Sequence, residues 1–148
     1  MPCNVINNPD FEAGLQGWRT NPPDIAQIDG SAGNRTLMLP AYADPEMLEL
    51  YQELSDLDTE KSYGFLAPVQ VGGYIPEAGE CNVTVTAVDD PSTKAIATGT
   101  FGYGQKGVLT DAYKPNVRDT TLDIAVSCTG GDESLVEVYF DNFILSDC

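Results

Sequence analysis

The chain carries many carboxylates and no histidine, and this narrows the chemistry that it can do. Its 148 residues include 23 acidic residues, 7 basic residues and 4 cysteines. A nucleophile of the Ser-His-Asp or Cys-His type needs histidine, and zinc is disfavoured because no cysteine belongs to a CxxC pair. Glycoside hydrolysis needs only two carboxylates, but no catalytic signature surrounds any acidic pair. We therefore predict that the chain is not an enzyme.

The cysteines are even in number and scattered, which favours two disulfides; they are Cys3, Cys81, Cys128 and Cys148. Three pairings are possible for four cysteines. We favour Cys3–Cys148, because this bond would tie the two termini together. The remaining bond, Cys81–Cys128, would then join neighbouring strands.

Other features agree with export from the cell. N-glycosylation sequons begin at Asn34 and Asn82, as expected for a eukaryotic glycoprotein. The start Met1-Pro2-Cys3 is typical of an initiator methionine placed on a processed chain. Together with the disulfides, these features predict a secreted, extracellular protein.

The formal net charge of −16 limits the possible partners. Such a surface repels phosphate backbones and anionic lipids, so we predict neither nucleic acid nor a membrane as a partner. The same surface tolerates neutral ligands and attracts cations such as calcium. No apolar stretch approaches the roughly 18 residues that a transmembrane helix needs.

Short alternating segments between turns must position these side chains. Val83–Val88 alternates and is followed by the turn Asp89-Asp90-Pro91, while Leu122–Val126 alternates in the same way. A further apolar run extends from Tyr63 to Val71, and weaker strand candidates cover residues 36–39, 94–101 and 107–110. Turns at a spacing of about ten residues predict an all-β fold. We expect one domain over residues 1–148, a β-sandwich jelly roll of two antiparallel sheets.

One segment fits either a helix or a strand. Asp44-Pro45-Glu46 is a good helix start, and Met47, Leu48, Tyr51 and Leu54 follow at helical spacing. In a strand over residues 48–54, leucines and Gln52 would occupy alternate positions. Periodicity alone slightly favours the helix.

The last strand changes parity. Val136, Val138 and Phe140 occupy one face at period two, but Phe143 and Leu145 fall on the opposite parity. A bulge or bend at Asp141-Asn142 would return both sets to the core. Bulges often present a side chain for a purpose, which singles out Asp141.

Motifs at both ends of the chain resemble the carbohydrate-binding module superfamily of families four, nine and twenty-two. The first motif runs from Asn4 to Gly14, with Phe11-Glu12 inside it, and continues to Gly17-Trp18; the second is Phe140-Asp141-Asn142-Phe143-Ile144-Leu145. A Gln-bearing strand followed by a Tyr-initiated one also fits residues 50–54 and 62–65. The resemblance therefore favours a strand at residues 48–54, and the extra cysteines resemble the fungal branch.

This resemblance implies a structural calcium ion held by Glu12 and Asp141. Calcium takes six to eight oxygen ligands, several of them backbone carbonyls. The loop Gly30-Ser31-Ala32-Gly33-Asn34 is flexible enough to lend carbonyl oxygens. The ion would then pin both termini and this loop together.

The resemblance also implies a polysaccharide ligand of the β-glucan or xylan class. Sugar rings stack on aromatic rings, and their hydroxyls need planar polar groups nearby. We expect Trp18 and Tyr63 to be structural. The expected carbohydrate-binding residues are Tyr42, Tyr74, Tyr103, Tyr113, Gln70 and Arg118.

Two other functions stay open at this stage. The same fold could serve as a structural or adhesive cell-surface domain without a sugar groove, because fold does not fix function. A hydrolase is the third candidate. In the favoured interpretation the module is a monomer, which can be appended to a larger secreted protein.

Overall fold

The computed structural model describes residues 3–42, 47–72, 79–91, 94–129 and 135–148, and every regular element in these ranges is a β-strand. None of these ranges contains a helix that is long and apolar enough to cross a membrane. The strands are β1 (Arg19–Asn21), β2 (Gln27–Asp29), β3 (Thr36–Tyr42), β4 (Leu48–Leu54), β5 (Tyr63–Gly72), β6 (Glu80–Ala87), β7 (Ala97–Gly102), β8 (Lys106–Tyr113), β9 (Thr120–Thr129), β10 (Leu135–Phe140) and β11 (Ile144–Ser146).

Each predicted strand has a counterpart. The apolar run at residues 63–71 and the alternation at 122–126 lie in β5 and β9, and the alternation at 83–88 overlaps β6. The weaker candidates at 36–39 and 107–110 lie in β3 and β8, and the one at 94–101 overlaps β7. The segment that fitted either a helix or a strand is the strand β4. The helix start predicted at residues 44–46 lies outside the described residues.

The strands form two antiparallel sheets, so the predicted all-β sandwich is confirmed. Sheet 1 has the order β1-β4-β9-β6-β7. Sheet 2 has the order β11-β5-β10-β3-β2. Strand β8 also pairs with β5 and adds a sixth strand to this sheet. Alternate residues of the long strands β4, β5, β6 and β9 are buried, as in β9, where Leu122, Ile124 and Val126 are fully enclosed. The buried faces of the two sheets form one hydrophobic core.

The predicted bulge lies between β10 and β11. Both strands pair antiparallel with β5, with Phe140 opposite Val69 and Ile144 opposite Leu66. Three residues, Asp141 to Phe143, therefore stand opposite two, Ala67 and Pro68. The extra residue shifts the register by one, and Asn142 takes a φ of 45° there. Phe140 and Phe143 are consequently both buried in the core.

The two end motifs meet at this bulge. The Phe143 ring centroid lies 5.8 Å from that of Phe11, 5.2 Å from Trp18 and 5.6 Å from Phe140. The backbone N–H of Phe143 donates to the Pro9 carbonyl at 3.0 Å. The distant stretches that carried the sequence resemblance therefore form one aromatic cluster, defined here as Phe11, Trp18, Phe65, Phe140 and Phe143.

Both predicted disulfides are present. Cys3 pairs with Cys148, which joins the two ends of the chain. Cys81 pairs with Cys128, and these residues face each other directly in the register of β6 and β9. The second bond is fully buried within sheet 1.

Candidate functional site

Glu12, the first predicted metal ligand, is held by the loop that the sequence pointed to. Its carboxylate accepts hydrogen bonds from the backbone N–H groups of Gly33 and Arg35, and the Arg35 guanidinium donates to the Glu12 carbonyl at 2.9 Å. Gly30 has a φ of +92°, and a Cβ there would collide with the Asn34 carbonyl. Gly33 of this loop thus donates its N–H to the Glu12 carboxylate, and the carbonyl ligands expected from the loop remain a prediction.

Asp141, the second predicted ligand, lies at the start of the bulge. Burial raises the pKa of Asp141, and the negative charges of Asp10 and Glu12 raise it further, while the hydrogen bond from the Asn142 N–H lowers it. Two further carboxylates, Asp10 and Glu12, thus lie close enough to Asp141 to act on it. Oxygen donors with excess negative charge fit a hard cation such as calcium.

Among the described residues, the ligand atoms of Asp10, Glu12 and Asp141 do not all lie within 4.8 Å of one another. In the described ranges, one group of three potential ligands has all its ligand atoms within 4.8 Å of one another, and it consists of Cys3, Asp147 and Cys148. Its two cysteines are bonded to each other, so it is not a metal site.

Two of the four predicted sugar-binding tyrosines, Tyr103 and Tyr113, have side chains that the structure describes. Tyr103 is half-buried, and its hydroxyl donates to the Thr129 carbonyl at 2.9 Å. Tyr42 ends β3, where only the backbone is described, and Tyr74 lies outside the described residues.

The prediction that Tyr113 binds carbohydrate is wrong. Its side chain is 6% exposed, and its hydroxyl donates to the buried Asp90 carboxylate at 2.7 Å. Burial and this hydrogen bond raise the pKa of Tyr113. A ring so enclosed cannot stack on a ligand, so Tyr113 has a packing role.

The predicted polar partners are also separated. Arg118 is exposed and lies 3.5 Å from Asp56. Gln70 faces outward on sheet 2, in a cross-strand row between Lys106 and Tyr139. This row borders a cavity of about 470 Å³. The two residues therefore lie on different parts of the surface.

A second surface, on sheet 1, combines an aromatic ring with charged groups. Register places Tyr51 of β4 between Arg19 of β1 and Asp123 of β9, and Thr86 of β6 follows Asp123. None of these four side chains is buried, whereas their strand neighbours Leu50, Leu122 and Ile124 are fully buried. The row therefore lies on the outer face of sheet 1.

Tyr51 is the common wall of three neighbouring cavities. Their volumes are about 410, 270 and 250 Å³. The first extends toward Glu49 and Asp123, the second toward Leu15 and Asp24, and the third toward Asn7 and Glu53. We call this continuous depression around Tyr51 the sheet 1 groove.

Buried polar contacts hold the floor of the sheet 1 groove in place. Gln52, next to Tyr51, points inward and is 3% exposed. Its amide accepts from the Asn7 N–H at 2.7 Å and donates to the Asn7 carbonyl at 2.9 Å. The Trp18 indole N–H donates to the Asn8 carbonyl at 2.9 Å. Gln52 and Trp18 therefore have structural roles, which the sequence indicated for Trp18.

Two carboxyl groups meet at one end of the sheet 1 groove. Glu49 pairs with Ala125 and Tyr51 pairs with Asp123, so Glu49 and Asp123 are diagonal neighbours on the same face. Burial raises the pKa of Asp123 to about 6, with further contributions from the charge of Glu49 and a hydrogen bond to it. The Asp123 Oδ1 atom is buried and has no hydrogen-bond partner among the described residues.

The raised pKa gives a testable dependence of stability on pH. The Asp123 carboxyl, whose pKa rises from an ordinary value of 3.8 to about 6 on folding, binds its proton more tightly in the folded protein. Its contribution to stability is therefore lost as pH rises from about 4 to about 6. We expect Asp123→Asn to raise the melting temperature by about 3 °C at pH 7.5, after allowance for solvent screening.

The same measurement at pH 4 should show little difference between Asp123→Asn and the unmodified chain. Asp111→Asn, at an exposed position of β8, is the matched control and should leave the pH profile unchanged. Thermal scans in a series of buffers from pH 4 to pH 8 test this. A parallel pH profile for Asp123→Asn and the unmodified chain would contradict the assignment.

The sheet 1 groove was missed at the sequence level, although the signal was there. In Leu48-Glu49-Leu50-Tyr51-Gln52-Glu53-Leu54 the leucines mark the inner face, so Glu49, Tyr51 and Glu53 must point outward. The same rule applied to Leu122-Asp123-Ile124 places Asp123 outside. Only the pairing of β4 with β9 brings the two strands together, and the sequence does not reveal that pairing.

No protein-family model matches the chain, and no curated protein matches it. Solved structures do share its fold. A family 28 carbohydrate-binding module specific for non-crystalline cellulose superposes with a TM-score of 0.63 at 15% identity, over 97% of this chain and 96% of that one. A family 61 module in complex with β-1,4-galactotriose gives 0.61 at 15% identity, over 98% and 99% of the two chains.

A third similar structure is the C-terminal family 22 carbohydrate-binding module of Clostridium thermocellum Xyn10B. Its TM-score is 0.61 at 18% identity, over 97% of this chain and 95% of the module. The N-terminal xylanase 10B structure from the same organism, complexed with xylohexaose, gives 0.62 at 19% identity, but this chain covers only 29% of it. At these identities the likeness shows a shared β-sandwich fold.

Proposed function

We propose that the chain is a non-catalytic module that binds a polysaccharide in the sheet 1 groove. The observation that carries this proposal is the row of Arg19, Tyr51 and Asp123 on the outer face of sheet 1, with cavities on both sides of Tyr51. An elongated groove suits a chain of sugar rings better than a closed pocket does. The shared fold with carbohydrate-binding modules supports the same ligand class.

Each part of the row has a role in this proposal. The Tyr51 ring offers an apolar face for the C–H groups of a sugar ring. The Arg19 guanidinium donates hydrogen bonds to sugar hydroxyls, and the carboxyl groups of Glu49 and Asp123 accept them. Because the groove is shallow, we expect dissociation constants in the micromolar to millimolar range, as an order of magnitude.

β-Glucan and xylan remain the proposed ligand class. The solved neighbours include modules associated with β-1,4-galactotriose and non-crystalline cellulose, so neutral polysaccharides are the first ligands to test. The experiment is affinity electrophoresis in gels containing soluble β-glucan, xylan or galactan, each run with calcium and with a chelator. Retardation by at least one of these supports binding, and free migration in every gel would favour a structural or adhesive domain of the same fold.

The remaining features support a location outside the cell. Two disulfides agree with a secreted protein, and the sequons at Asn34 and Asn82 agree with a fungal or other eukaryotic glycoprotein. Both asparagines are at least partly exposed, so a glycan could be attached to either. We propose a monomer that acts as part of a larger secreted protein and raises its local concentration at the polysaccharide.

We also propose a structural calcium ion at the bulge, held by Glu12 and Asp141 with Asp10 nearby. The charges of Asp10 and Glu12, which contribute to the raised pKa of Asp141, support this assignment. An ion there would neutralise their repulsion and connect the N-terminal segment, the 30–34 loop and the bulge. We assign the ion a structural role, because Asp141 follows β10 of sheet 2 whereas Tyr51 belongs to sheet 1.

Removing Asp141 tests the calcium proposal. We expect Asp141→Ala to lower the melting temperature in calcium and to abolish the rise in melting temperature that calcium gives the unmodified chain. Glu12→Ala should do the same, with an added loss because the N–H groups of Gly33 and Arg35 lose their acceptor. Thermal scans with calcium and with a chelator check this, and Asp111→Ala serves as the control. A chelator without effect on the unmodified chain would overturn the metal assignment.

A further inference from the structure

We propose that the sheet 1 groove prefers a polysaccharide whose sugar units carry a free, protonated amino group, and that Glu49 and Asp123 receive that group. This inference rests on the proposed function and names the ligand chemistry of the same groove. The amino group would lie beside the Tyr51 ring, at the end of the groove that borders β9.

The first argument is the close approach of two carboxyl groups, which need a proton or another cation between them. Asp123 and Glu49 can form a hydrogen bond to each other only while one of them holds a proton, and no donor among the described residues reaches the Asp123 Oδ1 atom. Its neighbour Glu49 is also a carboxyl group, which in its ionised form only accepts hydrogen bonds. An ammonium group brings three donors and can satisfy both carboxylates together.

The second argument is the balance of charge around the pair. In the described part of the chain, the ion pairs are Lys61–Asp147 and Arg118–Asp56, and neither involves the groove. On β9 and β6 the outward neighbours of Asp123 are the neutral residues Thr121 and Thr86.

The remaining charges of the groove add to this imbalance. Arg19 is its one lining cation among the described residues, and Tyr51 separates Arg19 from Asp123 in the cross-strand row. Glu53 and Asp24 add further negative charge to the lining. A ligand cation therefore has a defined place at the carboxyl pair, away from Arg19.

The third argument is the geometry of the aromatic ring. Tyr51 pairs directly with Asp123, so a sugar that packs on the ring brings its substituents toward the carboxyl pair. A cation close to an aromatic face also gains from the ring quadrupole. A neutral N-acetyl group at that place would lose the charge attraction, and a uronic acid would be repelled by it.

Three hexasaccharides with the same β-1,4 linkage and the same ring geometry test the inference: glucosamine hexamer, N-acetylglucosamine hexamer and cellohexaose. Isothermal titration at pH 6 should give about tenfold tighter binding of the glucosamine hexamer than of cellohexaose, since one charge-assisted hydrogen bond is worth about that factor. In Asp123→Asn and in Glu49→Gln the glucosamine hexamer should fall to the affinity of cellohexaose.

Controls separate this effect from general attraction of a polycation to an acidic protein. Asp111→Asn removes the same charge from sheet 2 and should leave the preference unchanged. Hexalysine, which has charge but no sugar ring, should not displace the bound oligosaccharide. The tenfold preference should also persist at 0.3 M salt, where exposed charges are screened.

The outcomes distinguish the inference from the function beneath it. Equal binding of cellohexaose and the glucosamine hexamer would overturn the amine preference and leave polysaccharide binding intact. A preference that survives in both Asp123→Asn and Glu49→Gln would overturn the assignment to the carboxyl pair. Failure of all three hexasaccharides and of the β-glucan, xylan and galactan gels would remove the proposed function together with this inference.

Discussion

Replacing Phe143 with alanine is expected to lower the free energy of unfolding by about 3–5 kcal/mol, the usual cost of removing a buried phenylalanine. Phe143 is fully buried, and its ring contacts four other aromatic rings at centroid distances of 5.2 to 6.5 Å. It also lies in the bulge between β10 and β11, where its backbone N–H donates a hydrogen bond to the Pro9 carbonyl of the N-terminal segment. The cavity left by alanine would therefore weaken both the core and the closure of the sandwich.

Urea unfolding followed by tryptophan fluorescence measures this loss, because Trp18 is part of the aromatic cluster. The matched control is Ile144→Ala, one residue further along the chain, where the side chain is 39% exposed. Its cost should stay below about 1.5 kcal/mol. Equal effects of the two substitutions would mean that the register shift at the bulge is wrong.

Replacing Tyr51 with alanine should weaken polysaccharide binding by about 30-fold, which corresponds to about 2 kcal/mol for a central aromatic contact. Tyr51 borders all three cavities of the sheet 1 groove, so its loss removes the apolar surface on which a sugar ring would pack. Its outward position predicts little loss of stability. Affinity electrophoresis, with thermal scans on the same samples, measures both effects.

Tyr139 provides the matched control for Tyr51. It lies on sheet 2 beside Gln70, and its hydroxyl donates to Glu137 at 3.0 Å. Tyr139→Ala should leave polysaccharide binding unchanged if the sheet 1 groove is the site. Loss of binding in Tyr139→Ala but not in Tyr51→Ala would move the site to the other sheet, where the predicted residue Gln70 lies.

Much of the fold follows from local patterns in the sequence. The parity change between Phe140 and Phe143 requires an extra residue, because both side chains must reach the same core. The register of β10 and β11 against β5 contains that extra residue. Both disulfides agree with the pairing favoured from the sequence. The bond between Cys3 and Cys148 is consistent with terminal segments that lie side by side, as the bridge between Asn4 and Ser146 shows.

The candidate site was harder to predict, because it depends on pairing between distant strands. Tyr103 and Tyr113 were among the expected carbohydrate-binding residues, but the Tyr103 hydroxyl donates to the Thr129 carbonyl and the buried Tyr113 donates to Asp90. Nothing local distinguishes Tyr113 at the end of a strand from an exposed loop residue. The groove requires β1, β4 and β9 to be neighbours, although they lie up to about a hundred residues apart in the chain.

The most direct measurement is a titration of the isotope-labelled chain with cellohexaose and xylohexaose, followed by backbone amide chemical shifts. The sheet 1 groove predicts that the largest shifts occur on β1, β4 and β9, centred on Arg19, Tyr51 and Asp123. The amides of β5, β8 and β10 should change little. Shifts concentrated around Gln70, Lys106 and Tyr139 would contradict the groove assignment, and an unchanged spectrum with either hexasaccharide would contradict binding of these ligands.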